Sequence, residues 1–193
     1  MFKSMALLAV LFSAATAVPT PSELLPRACT TIAPSIIHTL DAANPNTPSP
    51  GQEVALERIG APLKNNKLSA LTFTNIPAGS TGCRLEIEFP PLTDGQIAPG
   101  DTQADIWSTD PWDSNSLPTY SHQPHKKEMV ATYIFSKGPT ANSTHTVLAS
   151  NSCSSTMSWM ALLSEWQSSP GNVHFRNSVG NGQNLGFMLV FNC

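Results

Sequence analysis

Short segments in which apolar and polar residues alternate recur along most of this chain, and they constrain its fold more than any other feature. In residues 83–89 (CRLEIEF), Leu85, Ile87 and Phe89 fall on one face and charged residues on the other. A period of two is typical of a β-strand with one buried face. The same pattern predicts strands at 68–75, 129–135, 144–149, 157–163 and 185–193, and weaker ones at 54–59, 103–107 and 173–175. Turns rich in proline and glycine separate these segments, so we predict an all-β sandwich.

Two of these segments are more apolar than the others. Residues 157–166 (MSWMALLSEW) also fit an amphipathic helix, but the alternation through Thr, Ser, Met and Leu and a nearby cysteine favour a strand. Residues 185–193 (LGFMLVFNC) have apolar side chains on both faces. That pattern predicts a strand that is covered on both sides.

The four cysteines, Cys29, Cys83, Cys153 and Cys193, predict two disulfides. Their spacing is unlike the paired C-x-x-C of zinc sites. Three connectivities are possible for four cysteines. Cys29 opens the predicted folded region and Cys193 is the last residue, so a sandwich with neighbouring terminal strands would pair these two. Cys83 would then pair with Cys153.

Residues 1–17 have the features of a secretory signal peptide: Lys3, a short apolar run, and small residues that end at Ala17. The run is shorter than the roughly 20 residues of a membrane span. We therefore expect a secreted protein without a membrane span. Residues 18–27 (VPTPSELLPR) form either a flexible tail or a short pro-segment, and 28–193 form one domain.

Charge and composition narrow the classes of partner. The net charge is −3 and only 12% of residues are charged, whereas nucleic-acid binding needs a basic patch or stripe. We predict no nucleic-acid partner, no cofactor and no metal site. The alternative for a metal is calcium at Asp110, Asp113 and Asn115. That stretch alternates oxygen ligands but lacks the central glycine and final glutamate of a calcium loop.

Residues 108–127 have the pattern of neither a strand nor a helix. A connection of this length is usually functional or disordered, and its aromatic content argues against disorder. Flat rings could stack on the C–H faces of sugars while carboxylates bind their hydroxyls. The candidate ligand residues are Trp107, Asp110, Trp112, Asp113 and Tyr120. The alternative is that the rings fold back onto the sandwich and hold the loop in place.

A second pair of carboxylates lies on the strand at 83–89. Glu86 and Glu88 share one face, about 6–7 Å apart by strand geometry, which is near the separation in glycosidases. Hydrolysis of a polysaccharide is therefore an alternative function. The simpler interpretation is a solvated strand face in which these carboxylates pair with Arg84 or a neighbouring lysine.

One sequon is suited to N-glycosylation. Asn142-Ser-Thr144 follows the turn at Gly138–Pro139 and has no proline at its second position. In a secreted chain we expect a glycan on Asn142.

Four motifs resemble the But-two C-terminal domain, a family common in secreted fungal proteins and named after a yeast protein that binds an activating enzyme of ubiquitin-like modifiers. They are ACTTIAPSI at 28–36, STGCRLEIEFP at 80–90, NSCSSTMSW at 151–159 and LVFNC at 189–193. The resemblance implies an antiparallel, jelly-roll-like sandwich without an established catalytic activity. Residues 104–124 are also similar to a motif of carbohydrate-binding sandwich modules, with Tyr120 where those modules have a tryptophan.

The sequence thus predicts a secreted, disulfide-linked domain that binds rather than transforms its partner. The first hypothesis is a non-catalytic domain for cell-wall or host polysaccharide. The second is an effector-like module that binds a surface protein. The third, from another class, is a polysaccharide hydrolase.

Overall fold

The computed structural model describes residues 28–59, 64–93, 98, 102–180 and 182–193. The predicted signal peptide (1–17) and the tail or pro-segment (18–27) lie outside the described residues. Regular structure in those ranges is entirely β, and no helix there could cross a membrane. The strands are β1 Thr30–Ile32, β2 Ile36–Asp41, β3 Pro50–Gly51, β4 Glu53–Ile59, β5 Lys64–Phe73, β6 Cys83–Phe89, β7 Gln103–Thr109, β8 Lys126–Ile134, β9 Thr144–Asn151, β10 Met157–Leu163, β11 Gly171–Arg176 and β12 Gly186–Phe191.

The strands form two antiparallel sheets packed as a sandwich, as predicted. The smaller sheet has the order β1-β12-β6-β9. The larger has the order β11-β4-β5-β10-β7-β8, with β2 paired to β5 and β3 paired to β2. The segment 157–166, which also fitted a helix, contains strand β10, and β10 lies between β5 and β7.

The main core lies between the sheets because alternate side chains of both sheets point inward. Leu85 and Ile87 come from the smaller sheet, and Leu71 and Ile106 come from the larger one. Phenylalanines fill the middle. Phe89 and Phe175, for example, pack edge to face with ring centroids 5.1 Å apart.

The larger sheet also buries apolar residues on its outer face. The outer-face cluster consists of Leu40, Leu68, Ala70, Met160 and Leu162. Strand β10 contributes to both clusters because its side chains alternate between the two faces of the sheet. Trp159 and Ala161 belong to the main core, and Met160 and Leu162 belong to the outer-face cluster. An apolar outer face must be covered, and the connection after β7 covers it.

Both predicted disulfides are present. Cys29 precedes β1 and bonds to Cys193, which follows β12, and these two strands pair antiparallel. Cys83 opens β6 and bonds to Cys153 in the connection between β9 and β10. The two disulfides join cysteines that are 164 and 70 residues apart in sequence. In the chain-entropy model each lowers the entropy of the unfolded chain and so stabilises the folded state by about 4–5 kcal/mol.

Candidate functional site

The connection 110–125, here called the cover loop, lies across the outer face of the larger sheet. Trp107 at the end of β7, with Trp112 and Tyr120 from the loop, packs against the outer-face cluster. Ile106 is fully buried in the main core, so the alternation sets Trp107 on the opposite face. The structure thus brings together the three rings predicted from the sequence. It places them half-buried under the loop instead of exposing them.

Hydrogen bonds hold the cover loop to strand β5 and to the connection between β2 and β3. The Tyr120 hydroxyl donates to the Asn65 carbonyl at 2.7 Å, and the Ser121 amide donates to the Pro45 carbonyl at 2.8 Å. Within the loop, the Asp113 carboxylate accepts from the amides of Asn115 and Ser116 at 2.8 and 2.9 Å. Asp113 therefore acts as a turn-forming residue in this structure.

Charged groups surround the exposed side of the loop. Asp110 forms ion pairs with Lys127 and, at 3.3 Å, with His125. The Lys127 hydrogen bond is the main reason that the pKa of Asp110 lies below its ordinary value. The Lys126 ammonium lies 5.1 Å from the centroid of the Trp107 ring, at cation–π distance. Among the five predicted ligand residues, the exposed ones are thus the two aspartates.

Glu86 and Glu88 are engaged by neighbouring side chains. Glu86 is 2% exposed, so the expectation of a solvated face is wrong for this residue. One carboxylate oxygen is hydrogen-bonded to His145 Nε2 at 2.7 Å, and the other forms an ion pair with Arg84 Nε at 2.8 Å, at an angle unsuited to a hydrogen bond. Glu88 accepts from Asn184 Nδ2 at 2.9 Å. The expected pairing with Arg84 is present at Glu86, whereas Glu88 is hydrogen-bonded to Asn184.

One exposed ring was not predicted as a site from the sequence. Trp166 is 68% exposed and lies in the Trp166 turn, residues 164–167, directly after β10. The turn closes through the Gln167 amide, which donates to the Ser164 carbonyl at 3.1 Å. The signal that could have found it is a tryptophan followed by QSSPG, a segment too rich in turn residues to bury a ring.

The Trp166 turn is fixed on its inner side. Ser164 is fully buried, and its hydroxyl donates to the Asp105 carboxylate at 2.6 Å. Arg58, which is 2% exposed, donates to the carbonyls of Ser164 and Ser169, so one guanidinium holds both ends of the connection. Trp166 is therefore exposed on a turn whose backbone is anchored.

Polar side chains flank this ring. Glu165 and Gln167, its neighbours in the turn, line a cleft of about 210 Å³ with Lys64, Asn65 and the buried Arg58. The Gln167 side chain donates to Gln103 at 2.9 Å. The turn that carries Trp166 therefore also borders a polar cleft, through the two residues on either side of the ring.

Two further predictions concern surface groups. Asn142 is exposed in the connection between β8 and β9, so its side chain is open to solvent. Within the described ranges, no three His, Cys, Asp or Glu side chains are grouped closely enough to hold a metal ion. The calcium alternative gains no support there, since Asp113 is occupied by the turn it forms.

The function of this protein has to be inferred from its structure, because comparison with known families and curated proteins found no match. No protein-family model matches this chain, and no curated protein matches it. Two surfaces carry ring and carboxylate chemistry: the cover loop, whose rings pack inward, and the Trp166 turn, whose ring faces solvent. A stacking platform for a ligand requires the second arrangement.

Proposed function

We propose that this protein is a secreted, non-catalytic domain that binds polysaccharide, with Trp166 as the ring on which a sugar stacks. The single observation that carries the proposal is the 68% exposure of Trp166 on an anchored turn. Tryptophan is highly buried on average, so a large exposed indole on a fixed backbone suggests a contact surface.

The chemistry around the ring suits a sugar. The C–H face of a pyranose stacks on a flat apolar ring, and its hydroxyls need hydrogen-bonding groups at the ring edge. Glu165 and Gln167, the neighbours of the ring in the turn, carry a carboxylate and an amide. Because the backbone of the turn is already held by Arg58 and Ser164, binding orders little of the chain, which favours affinity.

In this proposal the cover loop has a supporting role. Trp107, Trp112 and Tyr120 stabilise the outer face of the larger sheet, while Asp110 and Asp113 order the loop and its ion pairs. Of these five residues, only Asp110 and Asp113 are exposed, so a ligand at the cover loop would contact their carboxylates.

The proposal also includes secretion of the protein and its membership of the family that it resembles. Two disulfides suit an oxidising compartment, in agreement with the signal-peptide pattern of residues 1–17. The resemblance to the But-two C-terminal domain, carried by motifs around all four cysteines, supports a binding domain of secreted fungal proteins.

A surface protein is the second candidate partner. Ile134 is 66% exposed and lines a groove of about 610 Å³ that Gln167 of the Trp166 turn also lines, so a second exposed apolar side chain lies at a groove bordered by this turn. Tryptophan is also enriched among the energetically dominant residues of protein interfaces.

The test uses protein purified after expression of the full-length chain. Retention on insoluble chitin, β-1,3-glucan and cellulose is compared for wild type, Trp166→Phe and Trp166→Ala. We expect the Phe variant to keep most of the retention and the Ala variant to lose at least five-sixths of it. If wild type is retained by none of these polymers and by none of the glycans on an array, the proposal fails. Release of reducing sugar by wild type would favour the hydrolase alternative.

A further inference from the structure

A second cavity lies at the other end of β10 from Trp166. This serine cleft has a volume of about 320 Å³ and opens between the end of β7, the start of β8 and the connection from β9 to β10. We propose that the serine cleft binds one neutral, polyhydroxylated molecule of monosaccharide size. The inference does not rest on the function proposed for Trp166, because the two sites lie at opposite ends of a seven-residue strand, about 20 Å apart.

The lining of the cleft is dominated by hydroxyl groups. Its volume is at the lower end of known ligand pockets, so it fits one small molecule. Six of its twelve lining residues are serine or threonine: Ser108, Thr109, Ser152, Ser154, Thr156 and Ser158. Hydroxyls both donate and accept hydrogen bonds, as do the hydroxyls of a polyol or sugar. The cleft and such a ligand are therefore chemically matched.

Two buried polar side-chain atoms of residues that line the cleft have no hydrogen-bond partner within the described part of the chain. Trp159 and Thr109 line it, are 2% and 5% exposed, and neither Nε1 of the indole nor Oγ1 of the threonine has a hydrogen bond. The great majority of buried polar side-chain atoms have at least one partner. An indole N–H can only donate, so the group that would satisfy it is an acceptor oxygen, which a ligand hydroxyl can supply.

The charges at the cleft favour a neutral ligand. Lys127 and Glu128 are the charged residues that line it, one of each sign. Lys127 is already paired with Asp110 outside the lining. A carboxylate or an amine in the cleft would therefore meet a group of its own sign as well as one of the opposite sign, whereas a hydroxyl can bond to either.

The cleft is held in shape before any ligand binds. Cys153 lies between Ser152 and Ser154, and its disulfide to Cys83 ties this wall to the smaller sheet. On the other side, the hydroxyl of Ser158 is hydrogen-bonded to that of Thr72 at 2.8 Å. A cavity with fixed walls loses little conformational freedom on binding.

The experiment follows the tryptophan indole N–H signals of ¹⁵N-labelled protein during titration with glucose, mannose, xylose, N-acetylglucosamine and mannitol. We expect at least one probe to move the assigned Trp159 signal with a saturable dependence, and the apparent Kd from that signal to be the same in wild type and Trp166→Ala, which separates binding in the cleft from stacking on Trp166. If no probe moves the Trp159 signal at 100 mM, the cleft holds only water and the proposal is overturned.

Matched substitutions separate binding from packing. Thr109→Val removes the unpartnered hydroxyl with little change in shape, so we expect at least fivefold weaker binding together with an equal or higher melting temperature. Thr102→Val is the control, because Thr102 is just as buried, its hydroxyl is also unpartnered, and it lines a different groove. Equal binding by wild type and Thr109→Val, or equal weakening by both variants, contradicts the proposal.

The ligand could be a free small molecule or the end of a glycan chain, and comparing a monosaccharide with its hexasaccharide distinguishes the two. Two charged sugars, glucuronate and glucosamine, test whether the ligand is neutral. If a monosaccharide binds as tightly as the hexasaccharide built from it, the ligand is a free small molecule. If the hexasaccharide binds at least tenfold more tightly and still moves the Trp159 signal, the cleft takes the end of a glycan chain. Both results support the proposal. Glucuronate or glucosamine binding tenfold more tightly than glucose would overturn the assignment of a neutral ligand.

Discussion

Trp112 of the cover loop meets His38 of β2 edge-on, with ring centroids 6.1 Å apart and the ring planes at 79°. His38 is fully buried, and neither of its ring nitrogens has a hydrogen-bond partner among the residues that the structure describes. Trp112 also packs against the outer-face cluster. The loop that the sequence singled out as a ligand site thus closes over an apolar face that contains an unpaired imidazole.

The first prediction concerns Trp112→Ala. Removing a half-buried indole exposes the outer-face cluster, so we expect the free energy of unfolding to fall by about 2 kcal/mol, less than the 3–5 kcal/mol of a fully buried aromatic. Urea unfolding measures the loss. Retention on polysaccharide should remain within twofold of wild type when measured well below the unfolding transition.

Trp166→Ala is the matched control for that prediction, because the same side chain is removed from an exposed position. We expect a change in unfolding free energy within about 0.5 kcal/mol and a loss of polysaccharide retention. If Trp112→Ala abolishes retention without affecting stability, the cover loop is the ligand site and the roles of the two tryptophans must be exchanged.

The second prediction is a pH dependence that arises from His38. Burial lowers the pKa of His38 below its ordinary value of 6.5, so the unfolded chain binds a proton more readily than the folded one. Stability from this group is therefore complete above pH 6.5 and is lost as the pH falls through 6.5 toward the lower folded value. Urea unfolding at pH 7.5, 6.5 and 5.5 measures the loss.

His38→Phe identifies the source of that pH dependence. Phenylalanine keeps an aromatic ring against Trp112 but cannot take up a proton, so the decline between pH 7.5 and 5.5 should be smaller than in wild type. The exposed His122→Phe serves as the comparison and should retain the full decline. Identical pH profiles for wild type and His38→Phe would assign the effect to another group.

Much of the fold could be predicted from the alternation of apolar and polar residues and from the positions of the four cysteines, because both can be seen directly in the sequence. The strand at 83–89 and the pairing of Cys29 with Cys193 were predicted and are confirmed. In strand β2, Ile36–Asp41, the burial of the polar His38 was not predicted, since the cover loop that packs against it lies far along the chain. Burial that depends on a distant segment leaves no periodic trace in the strand itself.

The candidate site was harder to predict for the same reason. The composition of residues 108–127 indicated that their aromatic rings bind a ligand or hold the loop in place, but it did not show whether the rings face the sheet or the solvent. That choice depends on the outer-face cluster, whose members come from three strands separated in sequence. Trp166 was considered only as part of a possible helix, and its exposure follows from a turn fixed by Arg58 of β4.

The third prediction tests the hydrolase alternative at Glu86. Glu86→Gln removes the charge that pairs with Arg84 and His145, so we expect unfolding free energy to fall by about 1–3 kcal/mol. Glu88→Gln, at the more exposed carboxylate, should cost less. Reducing-sugar assays should detect no turnover by wild type. Turnover that disappears in either variant while the protein stays folded would identify a catalytic carboxylate.

The fourth prediction is an N-glycan on Asn142. The side chain is exposed and lies in the connection between β8 and β9, away from both sheets' cores. Protein secreted from a eukaryotic host should lose apparent mass on treatment with an N-glycosidase, and Asn142→Gln should abolish that change. A mass shift that persists in Asn142→Gln would place the glycan elsewhere.

The last prediction concerns Arg58, which connects the core of the fold to the proposed platform. Its guanidinium donates from Nε to the Ser169 carbonyl at 3.0 Å and from a terminal nitrogen to the Ser164 carbonyl, on either side of Trp166. Arg58→Lys keeps the charge but cannot reproduce the planar fork that reaches two acceptors. We expect unfolding free energy to fall by roughly 1.5–3 kcal/mol, as for a lost hydrogen bond to a charged group. Because Trp166 is then displayed on a looser turn, polysaccharide retention should fall at least threefold although the ring is still present. Lys67→Arg, an exchange of the same two residue types at a partly exposed ion pair with Glu57, should change neither quantity. A variant of Arg58 that is destabilised but binds as wild type would show that the platform does not depend on the anchored backbone.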